Sequence, residues 1–420
     1  MRALTAAMWI SGLAGWPAQA LAQSDLIGAE AFDVDVDLRA SVTGGEEGWL
    51  DGGFGKLREG GDGGDPQVRA GIAAADVAWK PQLGFNFSGL VSFAWQPDIP
   101  GDDVGLSEAY LKYRSDPAPT RVSARAGVFW PPVSQEHSGS NWAVTDSITP
   151  SAANSWIGEE VKVLGLEGNV EHRFGEHEVA LTAAVFLHND MSGTLLTYRG
   201  WALHDVRATT NADLPLPPLS ASTAPYQDTV TSPFWEVDDR VGFYARADWT
   251  PPLPVTFNAL YYDNRGDRES SRPSGAAYQT SWRTRFWNVG AMASLDDRTV
   301  AKAQLMWGNT LVGPDTPFGI PADVDFATAY LLVTRQLGPG RLSVRGDWFE
   351  THDNSFVATD NNDEHGWAAM LAYMAPLHDY ADLGIEVLHV SSDRPGRQLY
   401  GGIAADQDQT IVQSSLRIGL

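Results

Sequence analysis

Residues 32–42 read Phe32-Asp33-Val34-Asp35-Val36-Asp37-Leu38-Arg39-Ala40-Ser41-Val42, with an apolar side chain at every even position and a polar one at every odd position. Successive side chains of a β-strand point to opposite faces, so this alternation predicts a strand with one apolar and one wet face. A helix would spread the three aspartates around its circumference. The segment therefore predicts an all-β beginning to the chain.

The same alternation recurs to the end of the sequence, and no convincing helical periodicity accompanies it. We predict sixteen strands, at 32–42, 68–79, 84–95, 105–114, 121–129, 159–173, 178–188, 240–249, 255–263, 282–295, 299–308, 325–336, 341–350, 366–374, 382–390 and 409–420. The alternation changes phase within 68–79 and within 159–173, which predicts a β-bulge in each.

The connections between these strands alternate in length. Those after even-numbered strands are short and carry the Pro, Gly and Asp of tight turns. Those after odd-numbered strands are mostly long, at 43–67, 96–104, 130–158, 189–239, 264–281, 309–324, 351–365 and 391–408. This layout is typical of a transmembrane antiparallel up-and-down β-barrel with short periplasmic turns and long extracellular loops. We predict such a barrel of about 16 strands.

Composition excludes several other classes. The chain has 420 residues, with 53 acidic and 29 basic side chains and a formal charge of -24. Nucleic acid is not an expected partner, because that binding depends on Lys and Arg neutralising phosphates. The absence of cysteine excludes disulfides, thiolate catalysis and cysteine-ligated metals. No run of about 18 apolar residues predicts a membrane-spanning helix.

The first residues predict export. Met1-Arg2 is a short basic start, 3–16 is apolar, and Ala20-Leu21-Ala22 offers the small residues that signal peptidase accepts. We predict a cleaved secretory signal peptide at 1–22 and a single barrel domain at 23–420; the alternative for the first segment is a short buried helix. The expected location is the outer membrane of a Gram-negative bacterium.

Aromatic residues separate a membrane barrel from a soluble sandwich or propeller, whose outer face would be polar. Beside the short turns stand Trp79, Tyr113, Trp249 and Tyr373, and beside the long loops stand Trp95, Tyr261, Trp307, Trp348 and Trp367. Two aromatic belts that flank an apolar band match the two membrane interfaces. The pattern therefore favours the membrane barrel.

Two short segments resemble bacterial porins. Residues 107–113, Ser-Glu-Ala-Tyr-Leu-Lys-Tyr, resemble a strand common in porins. Residues 127–136, Gly-Val-Phe-Trp-Pro-Pro-Val-Ser-Gln-Glu, are similar to a strand-to-loop segment of the phosphate-selective porin (O and P) branch. The resemblance implies a homotrimer of sixteen-stranded barrels for small solutes and a third external loop folded into the channel. Expected partners are the lipid bilayer, lipopolysaccharide and small anionic or neutral solutes, and no cofactor is expected.

The connection 130–158 is the third long one, and it is the candidate for a pore-constricting loop. Its polar groups alternate with tryptophans, a mixture suited to lining a constriction, and the alternative is an ordinary surface loop. The residues selected are Trp130, Glu136, Trp142, Asp146 and Trp156. The 189–239 connection is longer, has a Pro-rich centre, and is predicted to be an external loop that caps the mouth or reaches a neighbouring subunit.

Charges on the wet faces predict ion preference. On the hairpin formed by strands 105–114 and 121–129, four cations share one face with the acid Glu108, while two further cations lie on the opposite wall. The cations are Lys112, Arg114, Arg121 and Arg125, then Arg246 and Arg345. They predict passive diffusion with an anion preference. The alternative is that arginines and acids pair along the wall.

The sequence gives little support for a metal site or for catalysis. Glu171-His172 and Glu176-His177 flank a predicted turn without a metalloprotease helix, and 360–364 lacks calcium-loop spacing, so no metal site is predicted. The Gly-x-Ser-x-Gly signature of serine hydrolases is absent, and no catalytic residue is assigned. The alternatives to a porin are a barrel-embedded outer-membrane enzyme of lipase type and an exported β-rich adhesin or sugar-binding protein.

Overall fold

The computed structural model describes residues 28–62, 65–99, 104–357 and 359–419, so the predicted signal peptide 1–22 and Leu420 lie outside the described residues. Sixteen strands form a closed barrel in which each pairs antiparallel with the next and β1 pairs with β16. They are β1 Phe32–Thr43, β2 Gln67–Trp79, β3 Phe87–Trp95, β4 Gly105–Arg114, β5 Thr120–Phe129, β6 Val163–Phe174, β7 His177–Leu187, β8 Gly242–Thr250, β9 Val255–Asp263, β10 Arg283–Asp296, β11 Thr299–Val312, β12 Ala322–Leu337, β13 Gly340–Asp353, β14 Glu364–His378, β15 Ala381–Asp393 and β16 Asp406–Gly419.

The predicted strands and their order are confirmed, and of the two predicted bulges one is confirmed. Asp37 of β1 lies opposite Ala74 of β2 and Leu38 lies opposite Ile72, so Ala73 is the extra residue of a bulge. The bulge expected within 159–173 is wrong, because β6 keeps its register with both neighbours. The change of phase there marks the end of a helix at Glu160.

The connections alternate in length as predicted. The short ones are 80–86, 115–119, 175–176, 251–254, 297–298, 338–339 and 379–380, and they share one end of the barrel, called here the turn end. The long ones are 44–66, 96–104, 130–162, 188–241, 264–282, 313–321, 354–363 and 394–405, at the loop end. Alternation of this kind places every strand antiparallel to its neighbours.

The predicted apolar face lies on the outside of the barrel. Its exposed side chains include Leu181, Leu331 and Val412. Exposed tryptophans flank this band at both ends: Trp79 and Trp249 beside the turns, and Trp307, Trp348 and Trp367 beside the long connections. The exterior therefore has the apolar band and aromatic belts of a membrane barrel.

Within the described residues, parts of three long connections fold into the lumen: 44–62, 130–162 and the first half of 188–241. The second contains helix α1, Ala152–Glu160, and the third contains helix α2, Thr194–Tyr198; every residue of both helices is buried. Ser151 caps α1 by accepting a hydrogen bond from the Asn154 amide. A third helix, α3 (Pro395–Leu399), lies in the last long connection. None of the helices in the described part of the chain is long and apolar enough to cross a membrane.

One wall of the lumen is an apolar core. Inward side chains of β8–β15 pack against the folded-in connections around Trp156, Leu196 and Trp201. These wall residues are Tyr244, Leu260, Tyr262, Phe286, Met306, Phe326, Tyr330, Leu332, Phe349, Met370 and Leu388. Each large apolar side chain buried in this way contributes about 1.5–3 kcal/mol. The prediction that the inner face of each strand is wet is therefore wrong on this wall.

Candidate functional site

The 130–162 connection crosses the lumen and is hydrogen-bonded to strands of the opposite wall. Arg246 of β8 donates a hydrogen bond to the Pro132 carbonyl oxygen. Farther along, Gln304 of β11 donates to the Val133 carbonyl over 2.9 Å. Arg417 of β16 donates to the Val144 carbonyl over 2.5 Å. Because these strands lie on different sides of the barrel, the connection spans its interior.

The tryptophans selected in this connection pack against other rings and against the core. Trp130 stacks on Trp142 with ring centroids 4.3 Å apart, and Trp142 stacks on His137 at 3.7 Å. Trp130 and Trp156 are almost wholly buried, and Trp156 donates its Nε1 hydrogen bond to Glu160 over 2.7 Å. Burial and the nearby Arg207 guanidinium lower the pKa of His137 well below its usual value, so its ring is neutral at pH 7.

Glu136 organises the start of α1. It accepts hydrogen bonds from the Ser151 amide at 3.0 Å and from the Asn154 side chain at 2.5 Å. Arg345 approaches the same carboxylate at 3.3 Å and pairs with Asp347 at 2.7 Å. Arg345 has no exposed side-chain surface, so its predicted place on an open pore wall is wrong: the 130–162 connection covers it.

Most of the other predicted wall cations have acidic partners. Arg125 meets Glu167 of β6 at 2.8 Å and 3.0 Å, and Arg121 pairs with Glu171 of the same strand. Arg246 likewise pairs with Asp248 on its own strand. The pairing along the wall that sequence analysis left as an alternative is therefore present for these three arginines.

Lys112 and Arg114 differ from those arginines. They alternate with Leu111 and Tyr113, whose side chains are exposed on the barrel exterior, so they face the lumen. Both side chains are exposed, and neither forms an ion pair with any residue that the structure describes. Lys112 lies directly opposite Arg125 of β5 in the strand ladder. Glu108, farther up the same strand, is buried and accepts a hydrogen bond from the Trp130 amide at 3.4 Å.

The last selected residue, Asp146, lies between two cations of the far wall. Its carboxylate is 2.8 Å from Lys302 of β11 and 3.4 Å from Arg341 of β13. Glu136 and Asp146 of the connection, and Arg246 and Arg345 of the opposite wall, thus attach one connection across the lumen.

The 188–241 connection was predicted to be external, and its first half is not. Residues 189–204 are buried throughout. Leu196, Trp201 and Leu203 join the apolar core, and Leu195 joins a second apolar cluster around Trp49 and Trp282. Asn189 accepts a hydrogen bond from Tyr262 of β9, and Trp201 donates to the Glu350 carbonyl of β13 over 2.9 Å. The run of Leu and Trp between 195 and 203 was the available sequence signal for this burial.

A buried ion pair joins this connection to α1. Arg199 binds Glu159 through both guanidinium nitrogens, at 2.5 and 2.7 Å, and His204 Nε2 lies 2.7 Å from the same carboxylate. Burial alone would raise the pKa of Glu159, but Arg199 and His204 hold it at about 2. Glu159 is therefore ionised throughout the neutral range.

Ser155, His204 and Glu159 lie together without forming a serine–histidine relay. Ser155 Oγ bonds the backbone of His204, donating to its carbonyl oxygen at 3.0 Å and accepting from its amide at 3.1 Å. The His204 ring accepts from the Val206 amide at Nδ1. Because the hydroxyl does not meet the ring, this group positions the connection and does not activate a nucleophile.

Three carboxylates at the loop end, Asp190, Glu236 and Asp238, have oxygens within 4.8 Å of one another, a spacing compatible with a metal ion. Burial raises the pKa of Asp190 to about 8, and the amides of Val237 and Asp238 donate to it. Because these backbone hydrogen bonds explain why the three carboxylates lie together, we assign no metal ion to the cluster.

Two cavities flank the filled lumen. At the turn end lies a vestibule of about 800 Å³, lined by Asp33, Asp35, Arg341 and Arg417 among others. At the loop end lies a cavity of about 540 Å³, lined by residues that include Tyr198, Tyr226, Phe356 and Asp360. Space for water and solutes therefore exists at both ends of the barrel.

No protein-family model matches the chain, and no curated protein sequence matches it. Solved barrels do. The outer membrane channel DcaP of Acinetobacter baumannii has a TM-score of 0.52 at 10% identity, over 93% of this chain and 97% of that one. The anion-selective porin of Comamonas acidovorans has a TM-score of 0.50 at 10% identity, over 93% and 98%. The outer membrane protein OmpT of Vibrio cholerae, with loop L8 deleted, has a TM-score of 0.50 at 11% identity, over 93% and 99%.

These similarities concern the fold, because the identities are low. The chain has the closed sixteen-strand barrel of outer-membrane porins and channels, and the resemblance to the phosphate-selective branch stays a prediction.

Proposed function

We propose that the chain is an outer-membrane porin through which small hydrophilic solutes diffuse passively. The observation that carries this proposal is the closed barrel with an apolar exterior band and solute-sized cavities at both ends of its lumen. Two of the similar barrels are an outer membrane channel and an anion-selective porin, which supports the same class. The proposal includes no catalytic step and no cofactor.

The cellular setting follows from the same proposal. The chain is exported through a cleaved signal peptide into the outer membrane of a Gram-negative bacterium. There its exterior contacts the lipid bilayer and lipopolysaccharide, and it assembles as a homotrimer, as the porin resemblance implies. Light scattering in detergent that finds only monomers would contradict the trimer.

An anion preference now depends on Lys112 and Arg114. The four other cations selected from the sequence have carboxylate partners, which cancel most of their field. Lys112 and Arg114 remain exposed on the lumen side near the turn end. Anionic or neutral small solutes are therefore the proposed cargo, with a weaker preference than six free cations would give.

Planar-bilayer recording of the purified protein tests the proposal. Stepwise conductance is expected in symmetric KCl, and a reversal potential on the anion side is expected across a KCl gradient. If correctly folded protein inserts and never conducts, the porin function is wrong. If it conducts with a reversal potential on the cation side, only the anion preference is wrong.

A further inference from the structure

The loop-end cavity of about 540 Å³ lies where four long connections meet. These connections are 188–241, 264–282, 313–321 and 354–363. Three of the side chains that line the cavity are aromatic: Tyr198, Tyr226 and Phe356. Tyr226 and Phe356 are exposed, so a molecule that enters from the loop side can contact both rings without crossing the filled lumen.

The cavity wall also carries a buried carboxylate, that of Asp360. This residue is only 6% exposed, and it accepts a hydrogen bond from the Thr223 hydroxyl at 2.6 Å. In the part of the chain that the structure describes, no cation forms an ion pair with it, and burial raises its pKa. A buried carboxylate is costly unless a positive charge compensates it, so Asp360 has an unused capacity to bind a cation.

Cations near this carboxylate are engaged elsewhere. Arg394 donates hydrogen bonds to two backbone carbonyls of the 188–241 connection, at 2.7 and 3.0 Å. Arg268, which lines the cavity, pairs with Asp315 at 2.8 Å. Glu269 adds an exposed carboxylate to the lining. The cavity therefore has an excess of negative charge.

Tyr198 supplies a second polar group that the fold does not use. The residue is 7% exposed, and its hydroxyl makes no hydrogen bond with any residue that the structure describes. Burial and then the Asp360 carboxylate raise the pKa of Tyr198 above its usual range, so the hydroxyl stays protonated within the field of that carboxylate. A donor and an acceptor are thus available side by side in the cavity.

Aromatic rings beside an unpaired carboxylate favour an organic cation as the ligand. The face of a Tyr or Phe ring attracts a positive charge that lies within about 6 Å of the ring centroid. Calcium takes about six to eight oxygen ligands, which one buried carboxylate among aromatic side chains does not supply. An alkylammonium group combines a positive charge with apolar surface, and this matches both parts of the lining.

We propose that the loop-end cavity binds a small organic ammonium ion, with Asp360 as its counter-ion and the rings of Tyr198, Tyr226 and Phe356 around it. The site lies at the opposite end of the barrel from the exposed cations to which the anion preference is assigned. The proposal goes beyond the porin function and does not depend on it, because the ligand can bind from the loop side whether or not the barrel conducts.

Isothermal titration calorimetry of the purified protein in detergent tests the site, with choline as the probe. Dimethylbutanol, the uncharged analogue in which carbon replaces the choline nitrogen, has nearly the same shape without the charge. Glucose offers hydroxyl groups to the same acceptors. Sodium chloride at about 0.15 M screens the general attraction of cations to the acidic chain. Choline should bind, and dimethylbutanol should bind about tenfold more weakly.

Two variants test the residues. Asp360→Asn should weaken choline binding about tenfold, because it removes the counter-ion while keeping the shape of the side chain. Tyr226→Ala should weaken it about threefold through the loss of one exposed ring. The matched control is Asp408→Asn, which removes an exposed carboxylate at the loop end outside the cavity and should leave the affinity unchanged. Circular dichroism verifies that each variant is folded.

Three results would overturn the assignment: no choline binding by the folded wild type at millimolar concentrations, equal affinity for dimethylbutanol, or wild-type affinity in folded Asp360→Asn. Binding of glucose without choline would show that the cavity recognises hydroxyl groups, and it would also overturn the assignment. If Asp360→Asn does not fold, Tyr226→Ala and the comparison with dimethylbutanol decide. Conductance is measured separately, so failure of this site leaves the porin function standing.

Discussion

Glu159→Gln should loosen the 188–241 connection inside the lumen while leaving the barrel closed. Glu159 is wholly buried in α1, where it binds Arg199 in a bidentate pair and faces His204. Glutamine has nearly the same shape but no charge. The substitution therefore isolates the electrostatic contribution of one carboxylate to the attachment of the connection.

The magnitude follows from the burial of Arg199, whose side chain is 1% exposed. Removing one partner of a buried ion pair costs about 3–5 kcal/mol, because the other charge stays buried without compensation. Glutamine keeps one carbonyl acceptor for the guanidinium, so the lower end, about 3 kcal/mol, is expected. At 1.4 kcal/mol per tenfold, this corresponds to a roughly hundredfold larger opening equilibrium of the connection.

Amide hydrogen exchange in detergent measures this opening. The Leu203 amide donates to the Lys56 carbonyl at 2.8 Å, and the Ala208 amide donates to the Gly158 carbonyl at 2.9 Å. Both hydrogen bonds join the 188–241 connection to other folded-in segments, so the exchange of these two amides reports whether the connection is attached. Both should exchange roughly a hundredfold faster in the variant, with strand amides unchanged. Glu178→Gln is the control, because its pair with Arg173 is exposed at a turn and should have no detectable effect. Unchanged protection of Leu203 and Ala208 in Glu159→Gln would refute the reasoning.

Three further outcomes are expected. Burial raises the pKa of Glu160 from 4.5 to about 7. The attachment of the 188–241 connection to α1 should therefore be strongest below pH 4.5 and should weaken as the pH rises through about 7. Amide protection in the connection should be lower at pH 8 than at pH 5 in the wild type, and this difference should disappear in Glu160→Gln. Lys112→Glu combined with Arg114→Glu should move the reversal potential toward the cation side without loss of folded barrel, because both side chains are exposed. Leu331→Arg, on the lipid face in the middle of β12, should destabilise the barrel by about 2–4 kcal/mol in urea titrations.

The exterior of the barrel was predictable because one physical rule governs all of it. Every outward side chain faces the same apolar solvent, so the period of two appears strand by strand without reference to any partner. Val412 in β16 and Leu38 in β1 follow the rule although nearly the whole chain separates them. The strand order followed because short turns can join only antiparallel neighbours.

The interior was less predictable because its surroundings are set by distant segments. Phe286, Met306 and Phe349 face inward and are buried only because α1 and the 188–241 connection pack on them. Helix α1 itself has no apolar stripe to detect, since it is buried on every side. Its one local signal was the Ser151 cap followed by two alanines.

The ion pairs depend on register, which alternation does not give. The alternation of side chains predicts that Arg125 faces inward, but it does not predict the pair with Glu167. The ladder sets Arg125 directly opposite Glu167, and Arg121 opposite Glu171. A shift of one residue would have turned both glutamates outward. Pairing along this wall therefore follows from the point at which β6 begins, after α1.

The folded-in connections also explain why an inward cation in this barrel does not by itself indicate attraction of solute. Chain segments without regular structure leave carbonyl oxygens that need donors once they are buried. Arg345 donates to the Thr149 and Pro150 carbonyls, and Arg394 donates to those of Thr197 and Tyr198. Guanidinium groups used in this way hold the connections in place and have few free donors left. The cations available to a solute are those that face open space, which is why Lys112, rather than Arg345, is a site at which selectivity should respond to mutation.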